Sequence, residues 1–184
     1  DIVRFAHESM PSIIQPKLKQ DNARTLAFPN GSKVFVSKQV QSRGIHNLHI
    51  SEYPLCDEKE IEQTLAACPP WANITLEGVA SGMNHAYRTW QAGGDGIVRI
   101  FHPWFMQEEY RLPPAPGLER TDEEVRVAEM ARREYGIELD DSQVQFRREQ
   151  KRLMPNSWRE LYAEDPVTCF LSGSWAFFDP EKLK

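Results

Sequence analysis

The sequence predicts an α/β fold: a mainly parallel sheet with a β-hairpin attached, followed by a helical segment. Three observations carry that expectation. Apolar residues switch between strand-like and helix-like spacing from Ile45 to Phe105, in the order strand, helix, strand, helix, strand. Upstream, two β-rich runs flank Pro29-Asn30-Gly31, a turn signature. Downstream, the proline-rich stretch Leu112 to Glu119 gives way to two helical patterns with start signals. Strands that alternate with helices require crossover connections, hence parallel pairing with ligand chemistry at the strand ends.

Each element has a local reason. From Asp1 to Gln20, Ile2, Val3, Phe5 and Met10 mark a short amphipathic helix that Pro11 ends or kinks. Thr25 to Ser37 is the hairpin. Ile45, Leu48 and Ile50 then form a buried strand that leaves Ser51 and Glu52 at the sheet edge. Asp57 to Ala67 is helical, because Ile61, Leu65 and Ala66 fall at helical spacing and early acids suit the macrodipole. A strand over Ile74 to Leu76, a glycine-bracketed loop and a helix from Asn84 to Ala92 come next. Gly96 to Phe105 reads as a further strand. Thr121 then caps a helix, with Glu124 as capping-box partner and Gly136 at its far end. A second helix starts near Asp140 and runs to Pro155, and the aromatic-rich residues from Pro166 onward read as an extended arm. The expected organisation is a sheet region over 1–112, a linker over 113–120, and a helical segment with an arm over 121–184.

Composition narrows the function classes. A chain of 184 residues can bury one core, or one domain and a smaller appendage. Its formal net charge of -5 argues against nucleic-acid affinity from a general excess of Lys and Arg. Lys17, Lys19, Lys33 and Lys38 would track a DNA backbone only if they shared a face, and a solvated face is the simpler account. Cys56, Cys68 and Cys169 are odd in number and widely separated, so neither a disulfide framework nor a zinc site is indicated and a reducing, cytoplasmic setting is expected. No apolar run approaches the roughly 20 residues of a membrane span, and the first residues lack a signal-peptide pattern. The opening on Asp1 and the close at Lys184 after an apolar run suggest a fragment or a processed product.

The residues that attract attention chemically are the acids at strand ends. A nucleotide hydrolase needs one group beside its magnesium ion and an acid to orient the attacking water, and the end of a buried strand holds both rigidly. Glu52 stands where the water-orienting acid belongs, and Ser51, where many such enzymes carry Asp, could hold a magnesium-bound water. The plainer reading is that Ser51-Glu52 merely opens the following helix. Glu77 and Gly78 repeat the pattern at the end of the next strand, followed by Val79, Ala80, Ser81 and Gly82. His46 and His49 fall on opposite faces of a strand, which disfavours a shared metal.

Taken in order, Arg43-Gly44, Leu48-His49-Ile50-Ser51-Glu52, Glu77 to Gly82, the helix from Tyr87 to Trp90 and the run FHPWFMQEEYRLP resemble the large terminase subunit of tailed bacteriophages, the ATPase that packages DNA into a capsid. The similarity covers roughly Phe28 to Pro113, with a looser echo beyond. It implies a partial P-loop NTPase-type sheet, the Walker B and coupling-motif half of the ATPase domain, with the helical segment leading toward a nuclease domain. It also implies a cofactor, ATP with magnesium, and partners: double-stranded DNA, the portal, the small terminase subunit and further copies of the chain in a bacterial cytoplasm. In these terms Glu52 is catalytic, Ser51 supports magnesium through water, and Arg43, Ser51, Glu77, Gly78, Ser81 and Gly82 attend the nucleotide.

Two departures from that pattern matter. The coupling motif usually offers hydroxyls after its Glu, whereas Gly78 and Val79 stand here, so any relay must use Ser81, Asn84 or the backbone. The Walker A P-loop is missing: Gly31-Ser32-Lys33 lacks the upstream glycine spacing, and Gly93-Gly94-Asp95-Gly96 has no following Lys. The chain by itself is therefore expected to bind ATP poorly and not to hydrolyse it. A non-catalytic prophage remnant or interaction protein is the alternative, and an independent nuclease ranks below both because strand-end acids are too few. The RREYG and RREQKR runs read as surface ion pairs along helices, and the tryptophans as core or interface anchors.

Overall fold

A computed structural model describes residues 2–22, 24–37 and 44–171. The chain divides into two compact units, one of Asp1–His46 with Lys59–Ala72, the other of Asn47–Glu58 with Asn73–Lys184.

In the first unit, helix α1 (Ile2–Glu8) stops before Pro11, whose carbonyl accepts from the amides of Ile14 and Gln15 at 2.9 and 3.0 Å. Strands β1 (Gln20–Asn22), β2 (Thr25–Ala27) and β3 (Lys33–Phe35) form an antiparallel sheet in that order. The expected hairpin is β2–β3, closed where Gly31 N–H donates to the Phe28 carbonyl at 3.0 Å and Ser32 N–H to Asn30 Oδ1 at 3.0 Å. β1 was not expected: Gln20-Asp21-Asn22 is polar and exposed, and besides its ladder it is held by the Arg4–Asp21 ion pair and by Arg24 N–H donating to Asn22 Oδ1 at 3.1 Å. Leu26 and Ala27 are buried, and helix α2 (Glu58–Leu65) contributes Ile61 and Thr64 to the buried set.

The second unit holds a parallel pair, β4 (Asn47–Ile50) with β5 (Asn73–Leu76), in the register Asn47↔Asn73 to Ile50↔Leu76. The strand, helix, strand order of β4, α2 and β5 matches the sequence expectation. The next expected strand does not form: among the described residues nothing pairs with Gly96 to Phe105, and Ile97, Val98 and Ile100 stay exposed. A glycine turn at 93–96 redirects the chain, and Arg99 donates to the Trp90 carbonyl at 2.9 Å, which folds the run back on helix α3 (His85–Ala92). Trp104–Met106 is a single 3-10 turn. The sheets together make a mixed α/β arrangement, with three antiparallel strands and two parallel ones among the described residues.

The core sits under the helical part. Helix α4 (Asp122–Met130) begins with the expected Thr121–Glu124 capping box, widens into a π-helical turn over Ala131–Tyr135, and ends at Gly136, whose φ of 69° is the left-handed value that glycine adopts freely. Helix α5 (Asp141–Leu153) has its own capping box, Asp140 with Gln143, and helix α6 (Trp158–Leu161) follows. Trp104, Phe105, Ala131, Leu139, Phe146 and Trp158 form the buried cluster. Aromatic rings pack over it, with Tyr110 stacked on Phe146 at 4.9 Å and Trp158 on Tyr162 at 4.9 Å. The proline-rich stretch runs inside this unit: Leu112 N–H donates to the Ser142 carbonyl at 3.0 Å, and Ala115 N–H to Gln145 Oε1 at 3.3 Å.

The arginines of RREQKR correct the surface reading. Arg147 is buried and donates to Glu164 and Glu123, each at 2.6 Å, while Arg148 meets Glu124 at 2.7 Å. Of that run only Arg152 makes a pair along its own helix, with Glu149. The others bridge α5 to α4 and to the chain beyond α6, because the helices present facing charges that packing brings into contact.

Candidate functional site

The two parallel strands end at the same edge, and that places the predicted acids together. Past β4, Ser51 and Glu52 form a turn into a 3-10 helix, Tyr53–Leu55. Past β5 comes the loop Glu77 to Asn84. The turn and the loop continue the ladder: Glu77 N–H donates to the Ile50 carbonyl at 3.1 Å, and Tyr53 N–H to the Glu77 carbonyl at 2.8 Å. Gly78 is packed so closely on the turn that a Cβ there would lie 2.5 Å from Pro54 Cδ and 3.2 Å from Glu52 Cα. Only glycine lets the backbones approach this far.

Helix α3 grips the same turn from its N-terminal end. Asn84 caps it, accepting from Ala86 and Tyr87, and its Nδ2 donates to the Pro54 carbonyl at 2.8 Å. His85 Nε2 lies 2.9 Å from the Tyr53 carbonyl, and the Tyr53 hydroxyl 2.9 Å from Thr89 Oγ1. Links between loop and turn therefore run through Asn84 and the backbone, two of the routes left open once Gly78 and Val79 replace hydroxyl residues. Tyr53, His85 and Thr89 were not anticipated; the Asn84 helix start was the one local signal near them.

Glu52 itself takes φ 54° and ψ 39°, and it is the one non-glycine residue with positive φ among the described residues. The side chains of Ser51, Glu52 and Glu77 are exposed, and His49 Nε2 lies 3.6 Å from Glu77 Oε1, an ion pair when the imidazole is protonated. His46 stacks on Trp71 at 4.8 Å in the other unit. Ser81 and Gly82 are half-buried further along the loop, where Gly82 N–H donates to Glu160 Oε1 at 3.1 Å. Arg43 and Lys38 lie outside the described residues, as does Trp175, while Lys17, Lys19 and Lys33 are exposed.

Other chemistry is poorly served. Among the described residues no group of three His, Cys, Asp or Glu side chains is arranged for a metal ion. Burial pushes the Cys169 thiol up to about 12, which makes it a poor nucleophile. A cavity of about 30 Å³ lies among Glu123, Lys151, Trp158, Arg159, Glu164 and Thr168, which is room for a water and not for a substrate. Two carboxylates and a hydroxyl at one sheet edge do not by themselves fit a magnesium nucleotide, since Gly31 to Lys33 is built as a hairpin turn and Gly93 to Gly96 as a helix exit. No helix among the described residues is long and apolar enough to cross a membrane. Comparison with protein-family models, curated proteins and solved structures finds no match for this chain.

Proposed function

We propose that this chain carries the water-orienting and coupling half of a nucleotide-hydrolysing motor of the DNA-packaging terminase kind. The observation that carries the reading is the adjacency of the Ser51-Glu52 turn and the Glu77–Gly82 loop at the ends of parallel strands, joined by two backbone hydrogen bonds. Ligand chemistry gathers at such strand ends in open α/β sheets. Parallel sheets are ordinarily covered on both faces, yet Ile74 of β5 is 44% exposed, which leaves its face open to a further packed layer. In the complete motor Glu52 orients the attacking water, Ser51 holds a magnesium-bound water, and the loop answers the state of the phosphates. Double-stranded DNA, the portal, the small terminase subunit and sister copies are the partners that belong to this reading.

Two measurements test it. Titrating this chain with Mg-ATP should give no saturable binding at micromolar concentrations, because the phosphates lack their cradle; tight binding would overturn that part. In a motor that includes a glycine-rich loop ending in Gly-Lys-Ser or Gly-Lys-Thr upstream, Glu52→Gln should keep nucleotide binding and abolish turnover, and unchanged hydrolysis would remove Glu52 from the role. The second reading, a non-catalytic interaction protein, is favoured by the exposure of Glu52 and Glu77. The coding DNA before Asp1 separates the two readings: a phosphate-binding loop supports the motor, a start codon without one the interaction protein.

A further inference from the structure

We propose that Glu160 is a positioning residue that sets the Glu77–Gly82 loop, and through it the Ser51–Glu52 turn, from the helical segment. The inference rests on reading that loop as the one that answers the nucleotide. Glu160 belongs to α6 and accepts the Gly82 N–H at 3.1 Å across 78 residues of sequence. Its neighbours in the helical segment are answered differently: Glu123, Glu124 and Glu164 each meet an arginine, whereas among the described residues Glu160 forms no ion pair. Burial raises its pKa against the pull of the Gly82 amide, so the carboxylate sits in a costly place and the loop amide is what stabilises it there.

A second contact runs in parallel, where the ring of Tyr87 in α3 meets Phe170 at 5.3 Å. The loop is thus tied at both ends. At its start Glu77 accepts from Tyr53, and at its far end Gly82 donates to Glu160 and Asn84 donates to Pro54. A displacement of α6 pulls on Gly82, and the Glu77 carbonyl passes it to the turn that holds Glu52.

Amide hydrogen exchange on this chain tests the proposal without nucleotide. Glu160→Ala should speed exchange at Gly82 and at Tyr53 by about tenfold, the loss of one hydrogen bond, and leave the amides of α5 unchanged. Glu160→Gln, whose carbonyl oxygen can accept the same bond, should restore both. Three results would overturn it: no change at Gly82, a change at Gly82 that leaves Tyr53 protected, or a rise that extends equally through α5. The readout is independent of Glu52→Gln turnover, so the positioning role and the motor reading fail separately.

Discussion

The helical region from Pro103 to Phe170 and the strand-end turns of β4 and β5 belong to one compact unit, yet they are held by opposite means. The helical region buries Trp104, Phe105, Phe146 and Trp158 and closes over them with an ion-pair lattice between α4, α5 and Glu164. The strand ends bury little. They keep Ser51, Glu52 and Glu77 exposed and rely on backbone hydrogen bonds, one helix cap and a glycine approach. Burial and ion pairs hold the first region, whereas the second is held by local hydrogen bonds and leaves its acids exposed.

The largest effect expected is from breaking the lattice at its buried centre. Arg147, with its side chain 4% exposed, answers Glu164, whose side chain is 17% exposed, and also Glu123. Arg147→Ala strands the Glu164 charge and should cost about 3–5 kcal/mol in denaturant unfolding. Replacing the pair together, Arg147→Met with Glu164→Leu, should recover most of that loss because no unpaired charge is left. A single variant that costs under about 1 kcal/mol would mean the lattice is ornamental and that the apolar cluster alone holds this region.

Acid should loosen the same region next. Glu124 is held at about 2 from an ordinary 4.5, chiefly by hydrogen bonds from Arg148, against the opposing effect of burial. Its folded pKa is depressed, so its contribution is complete above the unfolded value and is lost as pH falls through the folded one. The window is therefore roughly pH 5 to 2, and the loss about 2 kcal/mol after allowance for the partly solvated Arg148. Glu124→Gln should flatten the profile of unfolding midpoint against pH in that window, and a profile as steep as the wild type would place the acid sensitivity elsewhere.

What was legible in the sequence follows the same division. Helix starts are local, so Thr121–Glu124, Asp140 and Asn84 could be read from spacing, and so could the order of β4, α2 and β5. Burial of a charge is not local: Arg147 and Arg152 look alike in the run RREQKR, and only the position of Glu123 and Glu164 in space separates them. A strand also needs a neighbour, which is why Ile97 to Ile100 has strand composition and no ladder among the described residues, while polar β1 has one. At the candidate site the acids were legible from strand-end placement, but Tyr53 and Glu160 were not, since their roles depend on contacts 24 and 78 residues distant.

The smallest effect expected bears on the strand ends and has the opposite sign. Glu52 is the non-glycine residue held at positive φ among the described residues, a conformation that costs an L-residue about 1–2 kcal/mol. Its side chain is exposed, so removing it should forfeit little packing. Glu52→Gly should therefore raise stability by about 0.5–1 kcal/mol, the relief of strain less the added freedom of the unfolded chain. Denaturant midpoints of the two proteins decide it. A gain means that the Glu52 carboxylate stands on a strained backbone that the rest of the fold offsets. A loss means the side chain itself holds the turn, and Glu52 then joins the stabilising residues of the helical region.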